Sequence, residues 1–149
     1  MLSTTVNIFY LFIFCVTIFS DNHPAKADSF NIVPSENIDL VVAKDGTGNY
    51  STIQSAIDAV DKNDSEMVII LIKNGTYNEK LLITKSNITL VGEDRNKTQI
   101  IFAELRSNWR KVNNDKDWGS AVINIADKVT NITIANLTVY NNYGSLYGS

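Results

Sequence analysis

The chain has 149 residues, a length suited to a single domain, with 13 Lys+Arg against 16 Asp+Glu and a formal net charge of -3. Hydrophobic residues make up 44% and charged residues 19%, which supplies material for a core and excludes an acidic, disordered chain. A nucleic-acid surface needs a clustered positive field, and the charge balance offers none, so no nucleic-acid partner is expected.

Residues 8–19 read IFYLFIFCVTIF, an apolar run of 12. A bilayer-spanning helix takes about 20 residues, so this run suits the apolar segment of a secretory signal instead. Ala25-Lys26-Ala27 then offers a small-x-small cleavage site. The n-region departs from the pattern, since no Lys or Arg precedes the run. The expected organisation is a signal peptide over 1–27, a polar leader over 28–37 and a folded domain over 38–149. Export to the extracellular space or cell wall follows, with no membrane association after cleavage. Cys15 and His23 are the single cysteine and histidine, and both precede the cleavage point. The mature chain is therefore expected to lack disulfides, Cys-His or Ser-His-Asp catalysis and Cys/His metal sites.

In chain order, Asp39 to Ala43 reads as a short strand, and Lys44-Asp45-Gly46-Thr47-Gly48 as a tight turn. That turn lacks the GxxxxGK[ST] and GxGxxG spacings of phosphate cradles. Ser51 to Val60 places Ile53, Ala56, Ile57 and Val60 at i, i+3, i+4 and i+7, which predicts a helix with one apolar face. Ser51 with Gln54 forms a candidate capping box at its start. From Met67 the pattern changes to short strands between Asn, Gly and Asp turns: 68–72, 76–83, 88–91, 98–102, 121–125, 132–134 and 137–140.

Asn87-Ile88-Thr89-Leu90 recurs as Asn131-Ile132-Thr133-Ile134. Read as two periods of 22, this spacing suggests coils of a parallel β-helix, with roughly five coils over 28–149. Successive coils of such a solenoid pair about 4.8 Å apart around a narrow apolar interior. A β-sandwich with a coincidental repeat is the alternative from spacing alone. A terminal cap is not recognisable after Tyr140, and the chain is expected to be the N-terminal part of a longer protein.

Asp45-Gly46-Thr47-Gly48-Asn49-Tyr50-Ser51-Thr52-Ile53-Gln54, followed by Gly75-Thr76-Tyr77-Asn78-Glu79 and then Asn87-Ile88-Thr89-Leu90-Val91-Gly92-Glu93, resembles the opening of the pectinesterase (pectin methylesterase) family. The resemblance covers about residues 38–143. It implies an all-β, right-handed parallel β-helix of the pectin lyase-like kind with a short N-terminal helix. It also implies hydrolysis of the methyl esters of pectin, releasing methanol, by a secreted enzyme that uses no cofactor, with pectin (homogalacturonan) as partner and a monomeric state expected.

Two aspartates carry that chemistry in the family: one attacks the ester carbonyl, while the other, kept protonated, donates to the leaving methoxide and then activates water. Amide donors stabilise the oxyanion. The resemblance places these groups on coils beyond Ser149, so no catalytic residue is assigned here. Asp45, Asp58, Asp94 and Asp115 fall in turns or on a polar helix face and read as solvated or capping groups. Ser120-Ala121-Val122 is similar to a family strand that ends in a substrate-contacting threonine, which makes Val122 the one candidate substrate-binding residue. Valine keeps the branched shape and loses the hydroxyl. Other β-helical lyases or hydrolases, and non-catalytic carbohydrate-binding solenoids, remain alternative readings. Tyr77 and Glu79 share a strand face, with Glu79 expected to bind turn N–H groups or a cation. Trp109 and Trp118 flank a polar excursion of the kind that walls saccharide clefts. Seven N-x-S/T sequons begin at Asn49, Asn63, Asn74, Asn87, Asn96, Asn131 and Asn136.

Overall fold

Parallel pairing governs every strand of the domain. The computed structural model describes residues 38–61 and 65–147; the expected signal and leader, with Cys15 and His23, lie outside the described residues. The elements are β1 (Leu40–Val42), α1 (Ile53–Ala59), β2 (Val68–Ile72), β3 (Gly75–Asn78), β4 (Leu81–Ile83), β5 (Ile88–Gly92), β6 (Thr98–Phe102), α2 (Arg106–Val112), β7 (Ile123–Ile125), β8 (Ile132–Ala135), β9 (Thr138–Asn141) and α3 (Tyr143–Tyr147). Sheet A has the order β1-β2-β5-β8, sheet B the order β3-β6-β9, and sheet C pairs β4 with β7. From β2 to β9 the chain passes through sheets A, B and C in turn, which is a parallel β-helix and not the antiparallel sandwich that spacing alone left open.

The interior is filled by one layer of inward side chains per coil. Ile70, Ile72, Leu81, Ile83, Ile88, Leu90 and Ile100 are wholly buried, and burying one such side chain stabilises by about 1.5–3 kcal/mol. The strand predicted over 76–83 is two strands, because the chain turns a corner at Glu79 and Lys80 between sheets B and C. At the N-terminal end the apolar face of α1 closes the stack: Ile53, Ala56 and Ile57 are fully buried and the helix packs on β1 and β4.

The capping of α1 differs from the sequence expectation. Thr52, not Ser51, is the N-cap, and its Oγ1 accepts from the Ser55 N–H at 3.3 Å. Gln54 does not reach back. The Glu79 carboxylate accepts from the N–H groups of both Ile53 and Gln54 at 3.0 Å each, and a charged acceptor outcompetes the neutral Ser51 hydroxyl for the Gln54 N–H. The Gln54 side chain instead pairs with β4, accepting from Leu82 N–H at 2.9 Å and donating to Leu82 O at 3.1 Å.

The coil count is also corrected. Ile88 pairs directly with Ile132 and Leu90 with Ile134, so the repeat of 44 residues is one coil and not two of 22. Sheet A holds four strands among the described residues, where five coils were expected. Coil length varies because a chain excursion including α2 is inserted between β6 and β7. What the Asn-Ile-Thr repeat records is a shared corner. Asn87 and Asn131 have φ of 60° and 56°, a left-handed conformation that Asn tolerates better than most residues. Asn131 Nδ2 donates to Asn87 Oδ1 at 2.8 Å, so the two stack as a ladder. One corner later Asn136 (φ 52°) donates Nδ2 to Gly92 O at 2.7 Å.

Candidate functional site

Sheet C and the excursion that follows β6 enclose a cleft of about 180 Å³ lined by Lys80, Leu81, Leu82, Trp109, Trp118, Gly119 and Asn124. Leu82 points outward between the inward Leu81 and Ile83, as strand alternation requires, and so forms floor and not core. Its register partner Asn124 is buried and donates Nδ2 to Ala121 O at 2.9 Å and to Leu81 O at 3.3 Å, which ties β7 to β4 under the cleft.

The walls come from the excursion. Trp109 on α2 donates its indole N–H to Trp118 O at 3.0 Å, and the Trp118 indole reaches Ile125 O at 3.4 Å. Gly119 has φ 92° and lies flat against the Trp109 ring, where a Cβ would come within 2.4 Å of Cζ2. Arg106 holds the two ends of the excursion together through a two-bonded pair with Asp117, Nε to Oδ1 at 2.7 Å. That hydrogen bond lowers the Asp117 carboxyl below its ordinary range and raises the Arg106 guanidinium. Trp118 is 59% exposed, so an apolar ring face of this cleft is open to a ligand.

Lys80 is the cation of the cleft. Its Nζ lies 3.5 Å from the Trp109 ring centroid and 2.9 Å from Glu104 Oε2, with both charged side chains 18% exposed. An ammonium held between a ring face and a carboxylate is fixed in place. Open indole faces on such a cleft suit the C–H face of a sugar ring, which stacks on them.

The other sequence candidates have definite places. Val122 immediately precedes β7, is 6% exposed with its side chain in the apolar core, and its carbonyl accepts from Leu81 N–H at 2.8 Å. Tyr77 is buried, its hydroxyl donating to Lys73 O at 3.0 Å, and burial pushes its pKa up. Glu79 binds the start of α1, as above. Asp45 accepts from Thr47 Oγ1 and N–H, which lowers its carboxyl and closes the Lys44–Gly48 turn. Asp58 accepts from Gln54, Asp94 accepts from Asn96 N–H, and Asp115 lies 3.8 Å from Arg110. Each of these acids is committed to a turn, a helix face or an ion pair. Lys80 and Glu104 were not singled out from sequence. They are 24 residues apart, and only the stacking of coils brings them together.

Three parallel sheets wound in successive coils, with a tryptophan-walled cleft on one of them, define a parallel β-helix. The Pectinesterase family model matches residues 39–146, and the chain belongs to the pectinesterase family. Probable pectinesterase 30 of Arabidopsis thaliana is 40% identical over 94 residues, covering 62% of this chain and 18% of that protein. The pectinesterase of Petunia integrifolia is 41% identical over 83 residues, covering 54% and 22% respectively. Among solved structures, a pectin methylesterase in complex with a hexasaccharide matches with TM-score 0.57 and 34% identity over 71% of this chain and 31% of its own. The Aspergillus niger pectin methylesterase matches with TM-score 0.60 and 28% identity over 75% of this chain and 36% of its own. The fold is therefore the right-handed parallel β-helix of these enzymes. The chain spans less than a quarter of the length of these two curated relatives.

Proposed function

We propose that the protein is a secreted hydrolase of pectin methyl esters, and that the described coils supply one wall of its polygalacturonate cleft. The observation that carries this reading is the placement of Trp109, Trp118 and Lys80 around an open cleft on sheet C of a chain in the pectinesterase family. Polygalacturonate offers apolar ring faces for the tryptophans. The acyl chemistry falls to a carboxylate nucleophile and a carboxylic acid on coils that follow β9. The commitment of Asp45, Asp58, Asp94 and Asp115 to structural roles supports that assignment.

Val122 belongs to the same proposal. In this reading it supports the cleft from the core side, where its side chain packs, and makes no hydrogen bond to a ligand, and Val122→Thr restores the hydroxyl that the family strand carries. Tighter binding of methylated oligogalacturonate by that variant supports the role. Lowered stability with unchanged binding removes it, because a buried hydroxyl without a partner costs about 1–3 kcal/mol.

The deciding assay uses the full natural protein, purified from the medium, with methylated polygalacturonate. Methanol release, with a raised KM in Trp118→Ala, is the expected result. Unsaturated oligomers would indicate a lyase, shortened chains without methanol a glycoside hydrolase, and binding alone a non-catalytic solenoid. Each of those outcomes overturns the esterase reading.

A further inference from the structure

Six of the seven sequons lie within the described residues, and the fold treats their asparagine side chains differently. Asn131 donates its amide to Asn87, and Asn136 donates its amide to Gly92 O. Asn49 Oδ1 accepts from Val41 N–H at 2.7 Å, and Asn74 Oδ1 accepts from Thr98 Oγ1 at 3.3 Å. In all five the side chain holds one coil segment to another. Asn96 differs. It is exposed in the turn between β5 and β6, its backbone N–H donates to Asp94 Oδ1 and its carbonyl accepts from Gln99, while its side-chain amide takes no hydrogen bond among the described residues.

We propose that, among the six sequons of the described residues, Asn96 is the one that carries an N-glycan. The inference rests on the secretion reading, since the modification belongs to the secretory lumen. In the transfer, the Asn96 amide nitrogen bonds to the anomeric carbon of a lipid-pyrophosphate-linked oligosaccharide. The nitrogen gives up one proton and the lipid pyrophosphate departs. The hydroxyl of the sequon, on Thr98, is fully buried in the folded chain and bonded to Asn74, so the transfer precedes closure of this coil. Once closed, the coil presents the glycan at the corner joining sheets A and B, whereas the cleft lies on sheet C. A glycan on Asn131 or Asn136 would occupy the nitrogen that donates to the neighbouring coil, and chains so modified are expected to misfold.

The test is glycopeptide mapping of the folded, secreted full-length protein from a eukaryotic host, with mobility measured before and after enzymatic removal of N-glycans. The expected result is an oligosaccharide at Asn96 and none at the other five described sequons, with the mobility shift reduced in Asn96→Gln but not in Asn49→Gln or Asn74→Gln. A parallel series carries a leader of established function in place of residues 1–27. A glycan at Asn96 only in that series refutes the native leader as an export signal and supports the site. Unmodified Asn96 in secreted, folded protein from either series overturns the inference, as does a mobility shift that Asn96→Gln leaves unchanged.

Discussion

Gly119→Ala tests whether the cleft is built as described. The new Cβ would sit 2.4 Å from Trp109 Cζ2, and since carbon contacts settle near 3.5–4.0 Å the ring must retreat by about 1 Å or more. A left-handed Ala costs about 1–2 kcal/mol in addition. Retreat of the ring weakens its contact with the Lys80 ammonium, worth about 0.5–2 kcal/mol, and its hydrogen bond to Trp118 O, worth about 0.5–1.5 kcal/mol. Complete loss of both contacts would make the total about 2–5.5 kcal/mol; partial retreat keeps it toward the lower end, below the stability of an ordinary domain, so the variant still folds, with Tm lowered by on the order of 10 °C. Both tryptophans of the sequence line this cleft, so intrinsic emission reports the site without a label. Titrated with oligogalacturonate, the variant is expected to bind about tenfold more weakly, a loss of about 1.4 kcal/mol. Gly46→Ala is the control: φ there is 83° but nothing lies within 4 Å of the new Cβ, so stability falls and binding does not. Wild-type emission and affinity in a folded Gly119→Ala protein would refute the geometry of the wall.

Other perturbations probe the frame. Glu79→Ala removes both acceptors at the start of α1 and is expected to cost about 2 kcal/mol, lowering a urea midpoint by about 1 M, while Glu79→Gln recovers part of that loss. An unchanged midpoint would show that the carboxylate does not hold the helix. Asn131→Gly loses the ladder bond but accommodates φ 56°, whereas Asn131→Ala loses the bond and adds strain, so Ala should be the less stable by about 1 kcal/mol. Equal chemical-denaturation midpoints would contradict the corner geometry. The hydrogen bond from Lys73, then that from Asn74 N–H, lowers the Glu93 pKa below its ordinary 4.5. A carboxyl lowered by folding adds stability above its unfolded value, and that contribution is lost as pH falls through the lower folded value. Both side chains are over one third exposed, so the contribution is below about 1 kcal/mol. Glu93→Gln should flatten the acid limb of a stability-pH curve, and an identical limb would remove the assignment.

Strands and helix α1 were legible because their signals are local. The strands at 68–72 and 98–102 match the sequence reading at both ends, since each is rich in β-branched and other apolar residues. The coil period was misread for a physical reason. A solenoid fixes the pairing of strands but leaves the length of the connection free, so Ile88 meets Ile132 across 44 residues while Val68 meets Ile88 across fewer than half as many. An asparagine at a left-handed corner marks where a coil turns, not how far the chain has travelled since the last one. The Ser51 capping box failed similarly: the sequence shows a local competitor for the helix donors, while the stronger acceptor, Glu79, arrives from 26 residues away.

The cleft was half legible. Trp109 and Trp118 stand out as aromatics around a polar stretch, but α2, which carries Trp109, has no buried residue and therefore no apolar period to betray it. Its position is fixed by the Arg106–Asp117 pair, by Gly119 beneath Trp109 and by the Lys80 ammonium over the same ring. Lys80 and Asn124 are set by the regular coils, whereas both tryptophans are set by the excursion that breaks the regularity. Site and scaffold thus divide along a physical line. The repeated corners and inward side chains hold successive coils at constant spacing, and the inserted length, free of any duty to the interior, can present ring faces outward. Lengthening or shortening the excursion should therefore alter what the cleft accepts while leaving sheets A and B intact.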